Sequence, residues 1–368
     1  MHIHPKSMSK PNILFITRAY RANAGGMERL SFELTQEASR DSTISTTVIA
    51  HRGHRLTSPL FNVACLPQAL RAAKQADIIH IGDPMLSFVG WLLKYLYKKP
   101  IAVTVHGLDV TYPNPLYQLY LKLFFYHFDI YLPISEYTKS LMKGVKNDKI
   151  EVVNPGMYDQ YYNPATTRSD LDKLLHISTA DNVILVTSGR LTPRKGHAWF
   201  VKHVLPKLPK HVMYVIAGSG QETEHITQVA IEADVKDQVK LLGRVSHPDL
   251  LTLYNSMDAF IQPNISLPGD SEGFGLVLAE AASCAKAVFA SHIEGIPDAI
   301  HNGKNGRLLP AQDAAQWIQA LQTFIEEKQY KNPAPYVLAR QHTLEHFSWT
   351  HIYPRFLQAL LQTMHSRK

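Results

Sequence analysis

The sequence predicts an α/β protein made of two doubly wound units, each a parallel sheet with helices on both faces. Three observations carry that prediction. Short β-branched runs alternate with helical patterns, the same rhythm restarts at Val183, and a stretch rich in Pro, Gly, Asn and Tyr, 154–169, separates the two sets. Strands spaced by helices imply βαβ units, because a parallel strand is reached only through a crossover. The length agrees: 368 residues correspond to two domains at about 100–200 residues each.

Asn12–Thr17 reads as a buried first strand, and Gly25-Gly26 then opens a helix whose apolar face is Leu30, Phe32 and Leu34. Residues 46–50, 78–81, 101–105, 130–134 and 150–153 follow as strands of the first set. In the second set, a strand over 183–187 leads through Gly189-Arg190 to a helix over about 197–208. A strand over 212–217 ends at Gly218-Ser219-Gly220, and 239–242, 259–262 and 287–290 complete the set. The hinge falls in 154–169. The expected organisation is a disordered tail at 1–9, a first domain at 10–165, a second at 166–347 and a final helix within 348–368. That helix, from Trp349 to about His365, carries the stripe Ile352, Phe356, Leu357, Leu360 and Leu361, which must be buried against something.

Composition removes several classes. With 45% apolar and 19% charged residues, 22 Pro and 19 Gly, the chain is neither disordered, collagenous nor a coiled coil. Its formal net charge of +7 points to an anionic partner such as phosphate or lipid headgroups. Nucleic acid is disfavoured, since no Arg-rich stripe or reader motif occurs. Two cysteines, Cys65 and Cys284, build neither a disulfide framework nor a zinc site, which fits a reducing compartment. No run qualifies as a signal-peptide core or a bilayer span, so a cytoplasmic location is expected.

The most specific chemical signal is Ser271-Glu272-Gly273-Phe274-Gly275-Leu276-Val277-Leu278-Ala279-Glu280. Two carboxylates flank a glycine turn that opens a helix after a buried strand. Glycines let backbone N–H groups approach an anion, and a helix N-terminus favours negative charge. Glu280, deeper in the helix, is placed to reach a diol such as a ribose; an N-capping turn with Glu272 as a solvated acid is the plainer alternative. Arg190 and Lys195, in the loop after the strand at 183–187, are candidates to neutralise a diphosphate, the alternative being a charged surface loop. His106 ends the strand at 101–105, at the edge where doubly wound folds bind ligands, a satisfied structural histidine being the commoner alternative. Gly25-Gly26 and Gly218 lie in turns suited to a phosphate, but neither completes a dinucleotide fingerprint, so a nicotinamide cofactor is not expected.

Weaker patterns are read structurally. Asp170 and Asp172 are capping acids rather than metal ligands, and Asn264-Ile265-Ser266 is a formal glycosylation sequon. No zinc-type His-Glu repeat, P-loop or nucleophile elbow is expected. Two aromatic helices, 88–99 and 116–126, carry Lys94, Lys98, Lys99 and Lys122. They are either core helices with favourable terminal charge or an interfacial surface for anionic lipid.

Taken together, these motifs resemble the retaining glycosyltransferases of family four, with the two-Rossmann glycosyltransferase-B fold. The paired acids Glu272 and Glu280 with the intervening Gly-Phe-Gly-Leu, the cations Arg190 and Lys195, the segment Thr104-Val105-His106-Gly107-Leu108-Asp109 and the turn Val153-Asn154-Pro155-Gly156 carry the likeness. The resemblance implies two Rossmann-like domains facing across a cleft, with the C-terminal helix crossing back to the first. It further implies transfer of a hexose-type sugar, with retention, from a nucleotide-diphosphate donor (a UDP- or GDP-sugar) to a lipid-linked or polysaccharide acceptor of the cell envelope. Catalytic roles fall on His106 and Glu272. Nucleotide-sugar contacts fall on Gly25, Gly26, Arg190, Lys195, Gly218, Val245, Gly273, Phe274, Gly275, Leu276 and Glu280. No metal or other cofactor is expected, and membrane association would be peripheral. The sequence departs from the family pattern at the long loop 263–271 and at Glu294-Gly295-Ile296-Pro297-Asp298. An epimerase or phosphorylase on the same fold, or a non-catalytic ligand-binding protein, are the alternatives.

Overall fold

The computed structural model describes residues 10–21, 25–53 and 60–365; the expected tail at 1–9 lies outside the described residues. The chain divides into two units, Met1–Gly156 with Trp349–Lys368, and Met157–Ser348. The first holds β1 (Asn12–Thr17), β2 (Ser45–Ala50), β3 (Ile78–Ile81), β4 (Ile101–Val105) and β5 (Ile130–Pro133). All pair in parallel in the order β2-β1-β3-β4-β5. β1, β3, β4 and β5 are largely buried because helices cover both faces, whereas β2, at the sheet's edge, is mostly half-buried. Leu14, Ile16, Ile79, Ile81, Val103 and Val105 supply one face of the core, packed with Val89, Leu93 and Phe128.

The second unit holds β6 (Val183–Ser188), β7 (Val212–Ala217), β8 (Val239–Gly243), β9 (Ala259–Gln262), β10 (Ala287–Ser291) and β11 (Arg307–Leu309), ordered β11-β10-β9-β6-β7-β8. Phe200, Tyr214, Trp317 and Phe324 are among the large side chains of its core. Strand order reverses between β1 and β3 in one sheet and between β6 and β9 in the other. At such points the loops after the strands splay apart and leave a crevice.

Several expectations are corrected. Residues 150–153 do not form a strand: Ile150 makes an isolated bridge to Tyr131, and the chain leaves β5 after Val153. Pro155 has no N–H with which to extend a ladder. The expected helix at 197–208 stops at His203 and continues as a single 3-10 turn, Leu205–Lys207. Pro206 explains the break, since it cannot donate to the preceding turn. Phe32 is only half-buried, and the inward line of the Gly26–Arg40 helix is Leu30, Ser31, Leu34, Thr35 and Ala38. β11 was not expected, because three residues with an exposed Arg307 show neither alternation nor an apolar run. Residues 157–165 group with the second unit rather than the first. Buried Tyr161 donates to Glu280, and Asn255 donates to the Tyr161 carbonyl.

The two aromatic helices of the first unit behave differently from core helices. Pro115–Phe124 buries only Leu121, while Leu116 (78% exposed), Leu119 and Leu123 face solvent beside exposed Lys122. Ser87–Tyr97 buries Val89 and Leu93 but exposes Tyr95 and Leu96. Among the described residues no helix is long and apolar enough to cross a membrane.

The final helix, Trp349–His365, packs inside the first unit against the Gly26–Arg40 helix, β3 and β5. Trp349, Ile352, Tyr353, Phe356, Ala359 and Leu360 are buried. Trp349 Nε1 donates to Glu33 Oε2 at 2.8 Å, and Phe356 stacks on Phe15 with ring centroids 6.4 Å apart. Phe356→Ala therefore removes a core ring and should lower the first unit's stability by about 3–5 kcal/mol. Urea denaturation followed by a probe in that unit checks this; a loss below about 1 kcal/mol would mean the helix is a peripheral addition.

Candidate functional site

The second unit's crevice lies at the carboxyl ends of β6 and β9. The loop after β6 closes with a single 3-10 turn, Pro193–Lys195, begun by proline and stopped by Gly196 in the left-handed region (φ 68°). This turn buries two consecutive cations, Arg194 and Lys195. Both meet one acid from the loop after β9: Lys195 Nζ and Arg194 Nη1 each donate to Glu272 Oε2 at 2.5 Å. Arg194 Nε also pairs with Asp270 at 3.0 Å, and Asn264 Nδ2 lies 3.3 Å from Glu272 Oε2. Burial alone would raise the Glu272 pKa, but Lys195 and Arg194 outweigh it and hold the carboxyl at about 2. Burial also pulls the Lys195 ammonium below its ordinary value, only partly offset by Glu272. Glu272 is therefore not the solvated helix-start acid of the plainer reading, and Asn264 is buried, not a surface sequon.

A second carboxylate braces the turn from behind. The Glu272 backbone N–H donates to Glu294 Oε2 at 2.5 Å, and Gly295 N–H donates to the Glu272 carbonyl at 3.0 Å. A Cβ at Gly295 would sit 2.1 Å from the Gly273 carbonyl oxygen, so only glycine permits this approach. Burial pushes the Glu294 carboxyl up despite its bond to that N–H. The segment that departs from the expected family pattern is thus built into the site. Phe274 is buried edge-on to Phe347, at 5.6 Å between centroids, and Gly275 caps the Leu276–Ser283 helix.

Glu280 lies in the second turn of that helix and is 3% exposed. Tyr161 Oη donates to its Oε1 at 3.0 Å, and Tyr254 Oη approaches its Oε2 at 3.5 Å. Tyr254 is in turn 2.6 Å from Ser188 Oγ at the end of β6. Two phenols already donate to the acid expected to meet a ribose, so a sugar diol would join an existing set of donors.

The remaining expected residues are placed as follows. Arg190 is exposed, and its charge helps lower the Lys195 pKa. A Cβ at Gly218 would lie 1.8 Å from the Gly189 carbonyl oxygen, so glycine there lets the loops after β6 and β7 close on each other. Val245 is half-buried between β8 and the His247–Ser256 helix and joins no polar cluster. Arg194 was missed; the signal available was a pair of consecutive cations behind a proline turn, which does not say which one faces the acid. Asp170 and Asp172 are caps as expected: Asp170 closes a capping box with Thr167, and Asp172 accepts from Thr179 N–H at 2.8 Å.

In the first unit, the carboxyl edge holds His106. Its Nε2 lies 3.0 Å from the Gly82 carbonyl oxygen, which can only accept, so Nε2 carries the hydrogen and Nδ1 keeps its lone pair. Asp109 accepts from the backbone N–H of His106 and of Gly107, fixing the segment. Asp83, fully buried, pairs with Arg18 Nε at 2.8 Å on the same edge. Gly25 and Gly26 start the Gly26–Arg40 helix with open space around both.

Two family models match the chain: "Glycosyl transferases group 1" over residues 173–336 and "Glycosyltransferase Family 4" over 24–160. The chain belongs to glycosyltransferase family 4. A D-inositol 3-phosphate glycosyltransferase of Mycolicibacterium smegmatis is 25% identical over 307 residues, 78% of this chain and 68% of that protein. The Anabaena protein HepE, solved with UDP and glucose, is 19% identical with a TM-score of 0.75, covering 96% of this chain and all of the other. The lipopolysaccharide outer core galactosyltransferase WaaB is 18% identical with a TM-score of 0.70, covering 95% and 99%. These two likenesses establish the fold, two Rossmann-like domains of the glycosyltransferase-B type.

The depressed Glu272 pKa gives a signed prediction. A carboxyl lowered from 4.5 to about 2 adds stability above its unfolded pKa and loses it as pH falls toward 2. The stability advantage of the native chain over Glu272→Gln should therefore shrink by about 3 kcal/mol between pH 6 and pH 2. Denaturation of both proteins across that range measures it, and a pH-independent difference would show that the ion cluster is not what ionises Glu272.

Proposed function

We propose that this glycosyltransferase moves a hexose from a UDP- or GDP-sugar to a lipid-linked or polysaccharide acceptor, with retention of anomeric configuration and without a metal cofactor. The observation that carries this reading is the Arg194–Lys195–Glu272 cluster at the second unit's crevice. A departing nucleoside diphosphate develops negative charge, and fixed cations in a partly buried site stabilise it without a bound ion. Arg190, exposed at the lip of the same loop, would meet the phosphates first. As the diphosphate shares Lys195 and Arg194, Glu272 is released to accept from hydroxyls of the donor sugar, while the Gly273–Leu276 amides line its other side. Glu280 takes the ribose, with Tyr161 and Tyr254 holding its carboxylate in place. His106, with Nε2–H fixed and Nδ1 able to accept, is assigned to the reacting sugar.

The decisive experiment combines donor binding with product stereochemistry. Lys195→Ala should weaken nucleoside-diphosphate binding by tenfold or more while leaving the bare nucleoside within about twofold, since each charge-assisted contact is worth roughly 1.5–3 kcal/mol. NMR of the transferred sugar should report the donor's own anomeric configuration, in buffer containing EDTA. Equal losses for nucleoside and diphosphate, or an inverted product, would overturn the reading.

The lipid-linked acceptor is supported by the first unit's surface. Exposed Tyr95, Leu96, Leu116, Leu119 and Leu123 lie on the two helices, with exposed Tyr126 in the 3-10 turn after the second, Lys98 capping the first and Lys122 on the second. Aromatic and leucine side chains beside lysines suit the headgroup boundary of an anionic leaflet. Flotation with phosphatidylglycerol vesicles should capture the protein at low salt and lose it at high salt, with Lys98 and Lys122 changed to Gln, or on phosphatidylcholine alone. No capture on phosphatidylglycerol vesicles even at low salt would argue for a soluble acceptor.

A further inference from the structure

The second unit gathers three histidines outside the diphosphate cluster. His342 and His346 lie one turn apart on the Ala334–Phe347 helix, and His301 comes from the loop after the short Ile296–Ala299 helix. One ring nitrogen from each lies within 4.8 Å of the others. The rings of His342 and His346 stack, with centroids 4.0 Å apart at 26°. His301 stands edge-on to both, at 5.0 and 5.2 Å. His301 Nδ1 and His342 Nε2 are 2.8 Å apart and share one hydrogen. His346 Nδ1 lies 2.8 Å from the His342 carbonyl oxygen. A carbonyl only accepts, so Nδ1 of His346 is the protonated nitrogen and Nε2 keeps the lone pair.

We propose that His301, His342 and His346 form a binding site for one divalent transition-metal ion of the Zn2+ type. Three neutral imidazoles are the donor set that such ions prefer over Mg2+ or Ca2+. Zn–N bonds of about 2.0–2.1 Å in a tetrahedron place the nitrogens about 3.3 Å apart. The His301–His342 pair must open by about 0.5 Å to reach that spacing, and the third nitrogen must close in. Both shifts are small, and His346 is exposed and able to turn. The ion takes the position of the hydrogen shared by His301 and His342, and that hydrogen moves to the other nitrogen of its own ring. No proton need leave the protein.

The surroundings favour the ion. The His346 Nδ1–H to carbonyl bond is the outer contact that fixes a ligating imidazole's tautomer and direction. Asp298 and Glu345 place negative charge near His301 and His342, opposed by Lys304. The Ala334–Phe347 helix carries no His-Glu-x-x-His order, but it does carry the reverse, His-x-x-Glu-His. In His342-Thr343-Leu344-Glu345-His346 the two histidines share one helix face, and the third partner lies 41 residues away from His342, invisible to a local pattern.

An ion held there would tie the Ala334–Phe347 helix to the loop carrying His301. Phe347, which contacts His301 at 5.5 Å, also packs on Phe274 of the Gly-Phe-Gly turn. The site shares no residue with the diphosphate cluster, so its role is structural and its test does not depend on transfer activity.

The experiment uses the full chain stripped with EDTA and dialysed free of it. Calorimetric titration with Zn2+ should find one ion more per chain in the native protein than in His346→Ala or His301→Ala. Each variant should lose at least tenfold in affinity for that ion, whereas His225→Ala, an exposed histidine elsewhere, should lose none. Saturating Zn2+ should raise Tm by several degrees in the native protein only. Metal-free Tm of each variant shows that it is folded, and exposed His346 is the safer of the two positions. Equal Zn2+ stoichiometry in native protein and both variants would overturn the proposal.

Discussion

The second unit depends on one buried carboxylate. Glu272 bridges Lys195 and Arg194, and through them the loop after β9 is tied to the loop after β6. Each of these ions would lose several kcal/mol if buried alone, and removing one partner from such a cluster costs about 3–5 kcal/mol. The backbone reinforces the same seam, with Ile265 N–H donating to the Arg194 carbonyl at 2.9 Å. The two loops that splay apart at the strand-order reversal are thereby held at a fixed separation with their charge already arranged. Preorganised charge of this kind stabilises an anion without first reorganising water.

A second layer explains why the acid stays where it is. Glu294 accepts from the Glu272 backbone N–H, so the start of the turn is tied down on the side away from the Lys195 and Arg194 contacts. Glu280 serves in the same way on the helix below. Its bond to Tyr161 fastens residues 157–165 to the second unit, which places the division of the chain nearer Gly156 than Ala165. One acid therefore has a structural and a proposed ligand role, and the two tyrosines are the reason both can coexist.

The sequence was most legible where burial is continuous. Asn12–Thr17, Ile78–Ile81, Val212–Ala217 and Ala259–Gln262 coincide with the observed strands because every residue faces a helix layer. It was least legible where a partner is distant. Tyr161 and Glu280 are 119 residues apart, and nothing local announces that a phenol will donate to that acid. Lys195 was found and Arg194 was not, since adjacent cations in a loop look alike until the turn's geometry turns both inward. Arg190 shows the converse: a position the resemblance singles out lies exposed, outside the buried cluster. β11 escaped because a three-residue edge strand carries no period to read.

Eight acids of this chain stand at one end or the other of a parallel sheet. Asp77, Asp129 and Asp258 each sit one residue before a strand, β3, β5 and β9. Each accepts from a backbone N–H at the start of the neighbouring strand: Asn12 at 2.9 Å, Ile101 at 2.9 Å and Ile184 at 2.7 Å. Asp129 and Asp258 are further neutralised by Lys94 and Arg168. These acids finish the sheet where its first N–H groups would otherwise lack acceptors. The acids beyond the carboxyl ends, Asp83, Asp109, Asp270, Glu272 and Glu294, face loops instead, and their partners are cations and the turns' own amides. At the amino ends a carboxylate completes a ladder that is already fixed by the fold. At the carboxyl ends it ties one loop to another, and in the second unit the cations it holds there are those the proposed diphosphate would share.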